Sequence, residues 1–161
     1  MKFEAKAKLL PERHVAYVRH IGPYSQIGEG LQRIFAWAGK KGLVRFPETQ
    51  VLAIYHDDPE TIDPAKLRSD ACITVPEGTP VDGEVKTQTV PGGLFAVAHV
   101  EIDQAEYGDA WDRLCKEWIP NNGFETDYES GRLCYELYLN DPEEHPQKKH
   151  IVDICEPVRR A

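Results

Sequence analysis

The sequence LCYELYL at residues 133–139 runs into the turn-forming residues Asn140-Asp141-Pro142. Aliphatic and aromatic residues closed by turn formers predict a β-strand. Because side chains alternate between the two faces of a strand, Cys134, Glu136 and Tyr138 share one face. A carboxylate in the middle of a strand is costly unless it meets water, a partner or a ligand. Glu136 is therefore the first candidate for a functional residue.

The composition is that of a globular protein. Of the 161 residues, 41% are hydrophobic and 29% are charged, which is normal for such a protein. The length fits one domain, or two small modules that share a core. No apolar run approaches the roughly 20 residues that cross a bilayer, and the N-terminus lacks the apolar segment of a secretory signal. We therefore expect a cytoplasmic protein with no membrane partner.

The charge balance bears on partners. The net charge is −8, from 27 acidic and 19 basic residues. An acidic protein repels phosphate backbones, so direct binding to nucleic acid is disfavoured. A cationic partner is the better electrostatic match. Mild acidity that serves solubility alone is the alternative, and at this point it stays open.

The cysteines and histidines show no metal-site pattern. Cys72, Cys115, Cys134 and Cys155 form no C-x-x-C pair and no zinc-type spacing with histidine. We expect no metal and no cofactor. A nucleophilic thiol at Cys134 is an alternative. It is disfavoured because no histidine that could activate the thiol lies nearby in the sequence.

The two halves of the chain repeat the same elements with an offset of about 80 residues, which is a sign of duplication. Each half is predicted as strand, helix, strand, Asp-Pro loop and strand, with helices at about 27–38 and 105–118. The last strand is predicted at 151–155, ended by Pro157. The predicted fold class is α+β, with duplicated βαββ units, pseudo-two-fold symmetry, and an antiparallel sheet with two main helices on one face and a ligand groove on the other. We expect a single domain over 1–161, with repeats at about 1–85 and 86–161.

Only one repeat carries the central carboxylate, because Glu136 aligns with Ala53. An ion pair that the fold requires would more easily appear in both halves, so a single acid is typical of a site added to a symmetric scaffold. Tyr55 and Tyr138 align and lie on the same strand faces as Ala53 and Glu136. We therefore predict a cleft with one acid flanked by phenols, which suits cationic or polar aromatic ligands.

The strand period predicts the face on which each residue lies. Cys134, Glu136 and Tyr138 are expected on the sheet face opposite the helices, together with Ala53 and Tyr55. The residues expected against the helices are Leu52, Ile54, Tyr135 and Leu137. A register error of one residue would exchange the two faces.

Several segments together resemble the GyrI-like family, the effector-binding domain of AraC-type and MerR-type multidrug regulators. They are VAYVRHIGPY at 15–24, AIYHDDP at 53–59, LRSDAC at 67–72 and ELYLNDP at 136–142. The resemblance covers almost the whole chain and implies a groove for amphipathic, often cationic, small molecules. It implies that Glu136 is the ligand-contacting acid and that Tyr24 is the tyrosine of the Gly-Pro-Tyr motif. The second half departs from this motif, since His99 is not followed by Gly-Pro.

The resemblance leaves three functions open. The first is a stand-alone small-molecule-binding protein without a DNA-binding domain. The second is a metal-independent hydrolase of cyclopropane-bearing genotoxins, in which Glu136 is the base and Tyr138 or Tyr24 the orienting hydroxyl, because burial suits a carboxylate to acid–base chemistry near neutral pH. The third is a protein partner that inhibits DNA gyrase. The predicted ligand contacts are Glu136, Tyr138, Tyr55, Tyr24, Cys134, Ala53 and Trp111.

Overall fold

The computed structural model describes residues 1–161 and divides them into two compact units. The N-terminal unit is Glu12–Val90, and the C-terminal unit is Met1–Pro11 with Pro91–Ala161. The first strand thus belongs to the C-terminal unit, whereas the sequence repeats group it with the first half. Its residues form a continuous antiparallel ladder with a strand of the C-terminal unit, from Lys2 to Leu10. Hydrogen bonding along its whole length therefore assigns this strand to the C-terminal unit, although it is close in sequence to the N-terminal unit.

Nine strands and two main helical segments make up the α+β fold, and the pairings within each unit are antiparallel. The strands are β1 Lys2–Leu10, β2 Arg13–Ile21, β3 Val51–Tyr55, β4 Arg68–Thr74, β5 Lys86–Val90, β6 Gly93–Ile102, β7 Phe124–Thr126, β8 Cys134–Tyr138 and β9 His150–Arg160. The helices are α1 Ile27–Lys40, α2 Tyr107–Asp112 and α3 Ile119–Asn121, with a π-helical segment Arg113–Trp118 between the last two. The α+β class predicted from the sequence is confirmed.

In the N-terminal unit the strand order is β3-β4-β2-β5, and α1 packs on this sheet. The buried residues of α1 recur every three or four positions, as expected of an amphipathic helix; they are Ile27, Gly30, Ile34 and Ala38. A Cβ atom at Gly30 would lie 3.1 Å from the Cβ of Ala71. This close approach shows that Ala71 of β4 points at the helix.

In the C-terminal unit the strand order is β1-β6-β9-β8, and β7 pairs with β9. One apolar cluster joins the sheet to the helical segment. Its buried members are Ala96, Ala98, Val100, Ile102, Ala110, Leu114, Ile119, Val152, Ile154 and Val158. The cluster identifies the face of β8 and β9 that the helices cover.

The second helical segment is irregular where α1 is regular. Its middle is the π-helical segment, which contains Cys115 and Trp118. Single π-helical turns inside α-helices are rare and occur frequently at functional sites. The helical segment of the C-terminal unit thus differs in regularity from the helix of the N-terminal unit.

The strand register is consistent with the predicted alignment of the repeats. The equivalent cross-strand pairs are Leu52–Cys72 with Tyr135–Cys155, and Ala53–Ala71 with Glu136–Ile154. Glu136 therefore takes the position in the C-terminal unit that Ala53 takes in the N-terminal unit.

None of the helices combines the length and the apolar composition that crossing a lipid bilayer requires.

Candidate functional site

Glu136 lies on the helix-covered face of β8, so the prediction that it lies opposite the helices is wrong. Its Oε2 accepts a hydrogen bond of 2.7 Å from Nε1 of Trp111 in α2. Tyr138, on the same face, packs against the apolar cluster beneath the helix. Tyr135 points to the other face, where its ring lies edge-on to Phe95 with centroids 5.5 Å apart.

The error has a physical reason, because β8 is buried on both faces. Tyr135 is 0% exposed and Glu136 is 5% exposed. In a strand without a solvated face, the alternation of residue types does not identify the core side. Ala53 and Tyr55 are corrected in the same way, since Ala53 pairs with the helix-facing Ala71. The prediction that Glu136 shares a strand face with Tyr138, and Ala53 with Tyr55, does not depend on which face the helices cover.

The Glu136 carboxylate is held by aromatic donors. Besides the Trp111 indole, the hydroxyl of Tyr138 donates to Oε1 at 2.6 Å. Hydrogen bonds to an ionised carboxylate are about twice as strong as neutral ones. The structure thus fixes one buried acid between an indole from the helix and a phenol from its own strand.

Tyr107 and His150 extend the polar groups near this acid. The Tyr107 hydroxyl lies 2.7 Å from Nδ1 of His150, and their rings are edge-on at 5.4 Å. Burial, and then the Glu136 charge, raise the pKa of Tyr107 above its ordinary value. Burial lowers the pKa of His150. Both shifts favour the neutral forms, so these two side chains offer hydrogen bonds rather than charge.

Cys134 shares the face of Glu136, and its surroundings disfavour the thiolate form. Burial, and then the Glu136 carboxylate, raise the pKa of Cys134 to about 12. The thiolate is the nucleophilic form of cysteine, so at neutral pH Cys134 is a small apolar wall of the site. This finding disfavours the alternative of a catalytic cysteine.

The other predicted residues, Tyr24, Tyr55 and Ala53, belong to the N-terminal unit. The rings of Tyr24 and Tyr55 are 4.5 Å apart and tilted by 57°. The Tyr24 hydroxyl donates to the carbonyl oxygen of Asp57 at 2.8 Å and accepts from its backbone N–H at 2.9 Å. Tyr24 thereby anchors the loop after β3, while Ala53 is fully buried. That this group and the Glu136 group line one groove stays a prediction.

Sequence reasoning missed a second buried acid, Glu156, which is 2% exposed. Its Oε2 accepts a hydrogen bond of 3.1 Å from Sγ of Cys115, and its Oε1 accepts one from the hydroxyl of Tyr128. Burial raises the pKa of Glu156 to about 7, against the lowering effect of the Cys115 bond. The signal was present, because Glu156 continues the period-two series of Val152 and Ile154.

The comparisons with known proteins decide the family. The model of the GyrI-like small molecule binding domain matches residues 4–159. The chain belongs to the GyrI-like family. The duplicated βαββ scaffold is thus that of a small molecule binding domain.

A relative and three solved structures describe the setting of this GyrI-like chain. DNA gyrase inhibitor 2 of Dickeya dadantii is 39% identical over 136 residues, which are 81% of this chain and 82% of that protein. The C-terminal domain of EcmrR superposes with a TM-score of 0.82 at 19% identity, over all of both chains.

Two more distant structures share the fold. A hydrolase from Listeria innocua superposes with a TM-score of 0.68 at 14% identity, over 97% of this chain and 92% of that one. SAV2435, solved bound to tetraphenylphosphonium, superposes with a TM-score of 0.58 at 11% identity, over 97% of this chain and 95% of that one. At these identities the likeness shows the fold alone.

Proposed function

We propose that this GyrI-like chain binds amphipathic organic cations through the carboxylate of Glu136. The observation that carries the proposal is a 5% exposed acid held by Trp111 and Tyr138. A buried carboxylate beside aromatic rings gains charge pairing and cation–π contact when a cation arrives. The equivalent position, Ala53, is apolar, so the fold does not need this acid.

Two further facts support a cationic ligand. The net charge of −8 attracts cations over the whole surface. A protein of the same fold is described as bound to tetraphenylphosphonium, a bulky aromatic cation. Tyr24, Tyr55, Ala53 and Cys134 remain predicted ligand contacts in this proposal.

Isothermal titration calorimetry with two ligands of matched shape tests the proposal. Tetraphenylphosphonium and tetraphenylborate have four phenyl groups and opposite charges. We expect the phosphonium to bind and the borate to bind far more weakly. Glu136→Gln should weaken phosphonium binding by about 1–3 kcal/mol, the scale of a charge-assisted interaction. Equal binding of both ions, or an unchanged affinity in Glu136→Gln, would refute the role of Glu136.

The gyrase-inhibiting function is a second candidate, favoured by the name of the 39% identical relative. A supercoiling assay with purified DNA gyrase and increasing amounts of this protein tests it. Inhibition that is equal for wild type and Glu136→Gln would place the gyrase contact away from the ligand site. An unchanged supercoiling rate at excess protein would reject this function. The hydrolase alternative uses the same Glu136 and Tyr138 and stays a prediction.

A further inference from the structure

The C-terminal unit has two carboxylates that bridge its sheet and its helix in the same way. The first bridge is Glu136 with its indole and phenol donors. The second is Glu156 of β9, which accepts from Cys115 of the helical segment and from the hydroxyl of Tyr128. Each acid thus has one donor from the helix and one from a tyrosine. We call these the first and the second bridge.

The strand register fixes the spacing of the two acids. Ile154 lies directly opposite Glu136, and Glu156 follows two residues later on the same face of β9. Diagonal neighbours of this kind lie about 7–8 Å apart. The helical donors Trp111 and Cys115 are four residues apart, so they lie one above the other on one helix face. The second bridge therefore continues the first along the same interior surface.

The scaffold needs neither acid. In the N-terminal unit the equivalent of Glu136 is Ala53, and the equivalent of Glu156 is Ile73, the residue after Cys72 as Glu156 follows Cys155. Both apolar residues are fully buried. A carboxylate at 2% exposure costs free energy that isoleucine at the same point avoids. An acid kept at this cost in one unit indicates a role other than folding.

The partners of Glu156 are exchangeable. Cys115 is a weak hydrogen-bond donor, as thiols are. Tyr128 lies on the short turn Tyr128–Ser130 and is 49% exposed, so its hydroxyl can turn to water. A ligand ammonium or amidinium group that displaced Tyr128 would give Glu156 a stronger, charged partner.

We propose that Glu156 is a second cation-recognition point of the ligand site. The ligands best suited to the site then carry two cationic groups, separated by about the 7–8 Å of diagonal strand neighbours. This inference rests on the proposed function, because Glu136 holds the first cationic group.

The groups that face Glu156 predict how this second point responds to pH. They are Cys115 from the helix, Cys134 from β8 and Tyr128 from the turn, while β6 presents Ala96. Burial raises the pKa of Cys115 and that of Cys134, the latter to about 12, so both thiols stay neutral. Glu156, with a pKa of about 7, gains its charge as pH rises through neutrality. The preference of the site for dications over monocations should therefore increase as pH rises.

Calorimetric titration with benzylamine and para-xylylenediamine tests the inference at a pH of about 8. The diamine adds a second ammonium group across the same ring. We expect wild type to bind the diamine about tenfold more tightly or better, equivalent to one new charged contact. In Glu156→Gln the preference for the diamine should fall to the statistical advantage of about two for a ligand with two equal ends. Glu136→Gln should weaken the binding of both amines.

The outcomes separate this inference from the proposed function. A diamine preference that survives in Glu156→Gln overturns the inference. Benzylamine binding that depends on Glu136, without any diamine preference in wild type, overturns the inference and leaves the proposed function standing. Failure of both amines to bind wild type overturns the inference, whereas the proposed function is decided by the phosphonium titration. The preference of wild type for the diamine should also rise between pH 6 and 8, and a preference that falls over this range contradicts a role for the Glu156 carboxylate.

Discussion

The two units have the same βαββ scaffold and differ in the charge of their helix-covered sheet faces. The N-terminal unit has Ala53 and Ile73 where the C-terminal unit has Glu136 and Glu156. All four residues are buried. Because one unit packs these positions with apolar side chains, the scaffold itself does not require an acid at either position.

A second pair of acids occurs in both units, and we call its members scaffold acids. Asp70 and Asp153 take equivalent positions in the two units, and each pairs with a basic residue of the neighbouring strand. Asp70 is fully buried and accepts from Arg19 at 2.5 Å, with His56 and Gln88 also bound to it. The carboxylate of Asp153 pairs with the half-exposed His99 at 2.7 Å. An acid present in both units is part of the fold.

The largest expected effect comes from neutralising the scaffold acid of the N-terminal unit. Burial raises the pKa of Asp70, but hydrogen bonds from His56, Gln88 and Arg19 outweigh it and hold that pKa below its ordinary value. Asp70→Asn turns one acceptor oxygen into a donor facing other donors. We expect a loss of about 3 kcal/mol in the free energy of unfolding, measured by urea denaturation, as for a broken buried ion pair.

Asp153→Asn is the matched control in the C-terminal unit. Its partner His99 has a side chain that is 54% exposed, and exposed pairs contribute about 0–1 kcal/mol. Equal losses for the two variants would contradict the view that the N-terminal unit depends more on its scaffold acid.

The next effect concerns the pH dependence of stability. Burial raises the folded-state pKa of Glu156 from 4.5 to about 7, so the folded state binds its proton more tightly than the unfolded state does. Its contribution is fully present below about pH 4.5 and is lost as pH rises to about 7. The shift corresponds to roughly 3 kcal/mol at most, of which solvent relaxation removes part.

Glu156→Gln should remove this loss, because glutamine does not titrate. We expect the difference in unfolding free energy between wild type and variant to change with pH between about 4.5 and 7, with wild type becoming relatively less stable. A difference that stays constant over this range would show that Glu156 keeps an ordinary pKa. The same measurement on Ile73→Val, at the equivalent position, controls for packing.

Several features of the two units can be predicted from the sequence. The repeat, the strands around Glu136 and the Ala53–Glu136 equivalence follow from turn formers and spacing. The sequence does not predict which face of β8 the helices cover, because a strand that is buried on both faces lacks a regular alternation of apolar and polar residues. Glu156 was missed since the last strand was predicted to end at Pro157, whereas β9 runs to Arg160. The ladder with β8 ends at Cys155, so the missing N–H of Pro157 breaks no bond to that strand.

The strand that pairs with β1 also cannot be predicted from the local sequence pattern. The repeat groups this strand with the residues that follow it, yet it pairs with β6 from Lys2–Glu101 to Leu10–Gly93. Strand pairing at a separation of more than eighty residues depends on tertiary packing, for which a single sequence has no local signal.

A crystal structure of the complex with tetraphenylphosphonium would show whether Glu136 binds the cation. We expect the phosphonium centre to lie nearer to the carboxylate of Glu136 than to any other acid, with a phenyl ring against Trp111 or Tyr138. A cation bound elsewhere, with Glu136 touching no ligand atom and still accepting from Trp111 and Tyr138 as it does here, would contradict it.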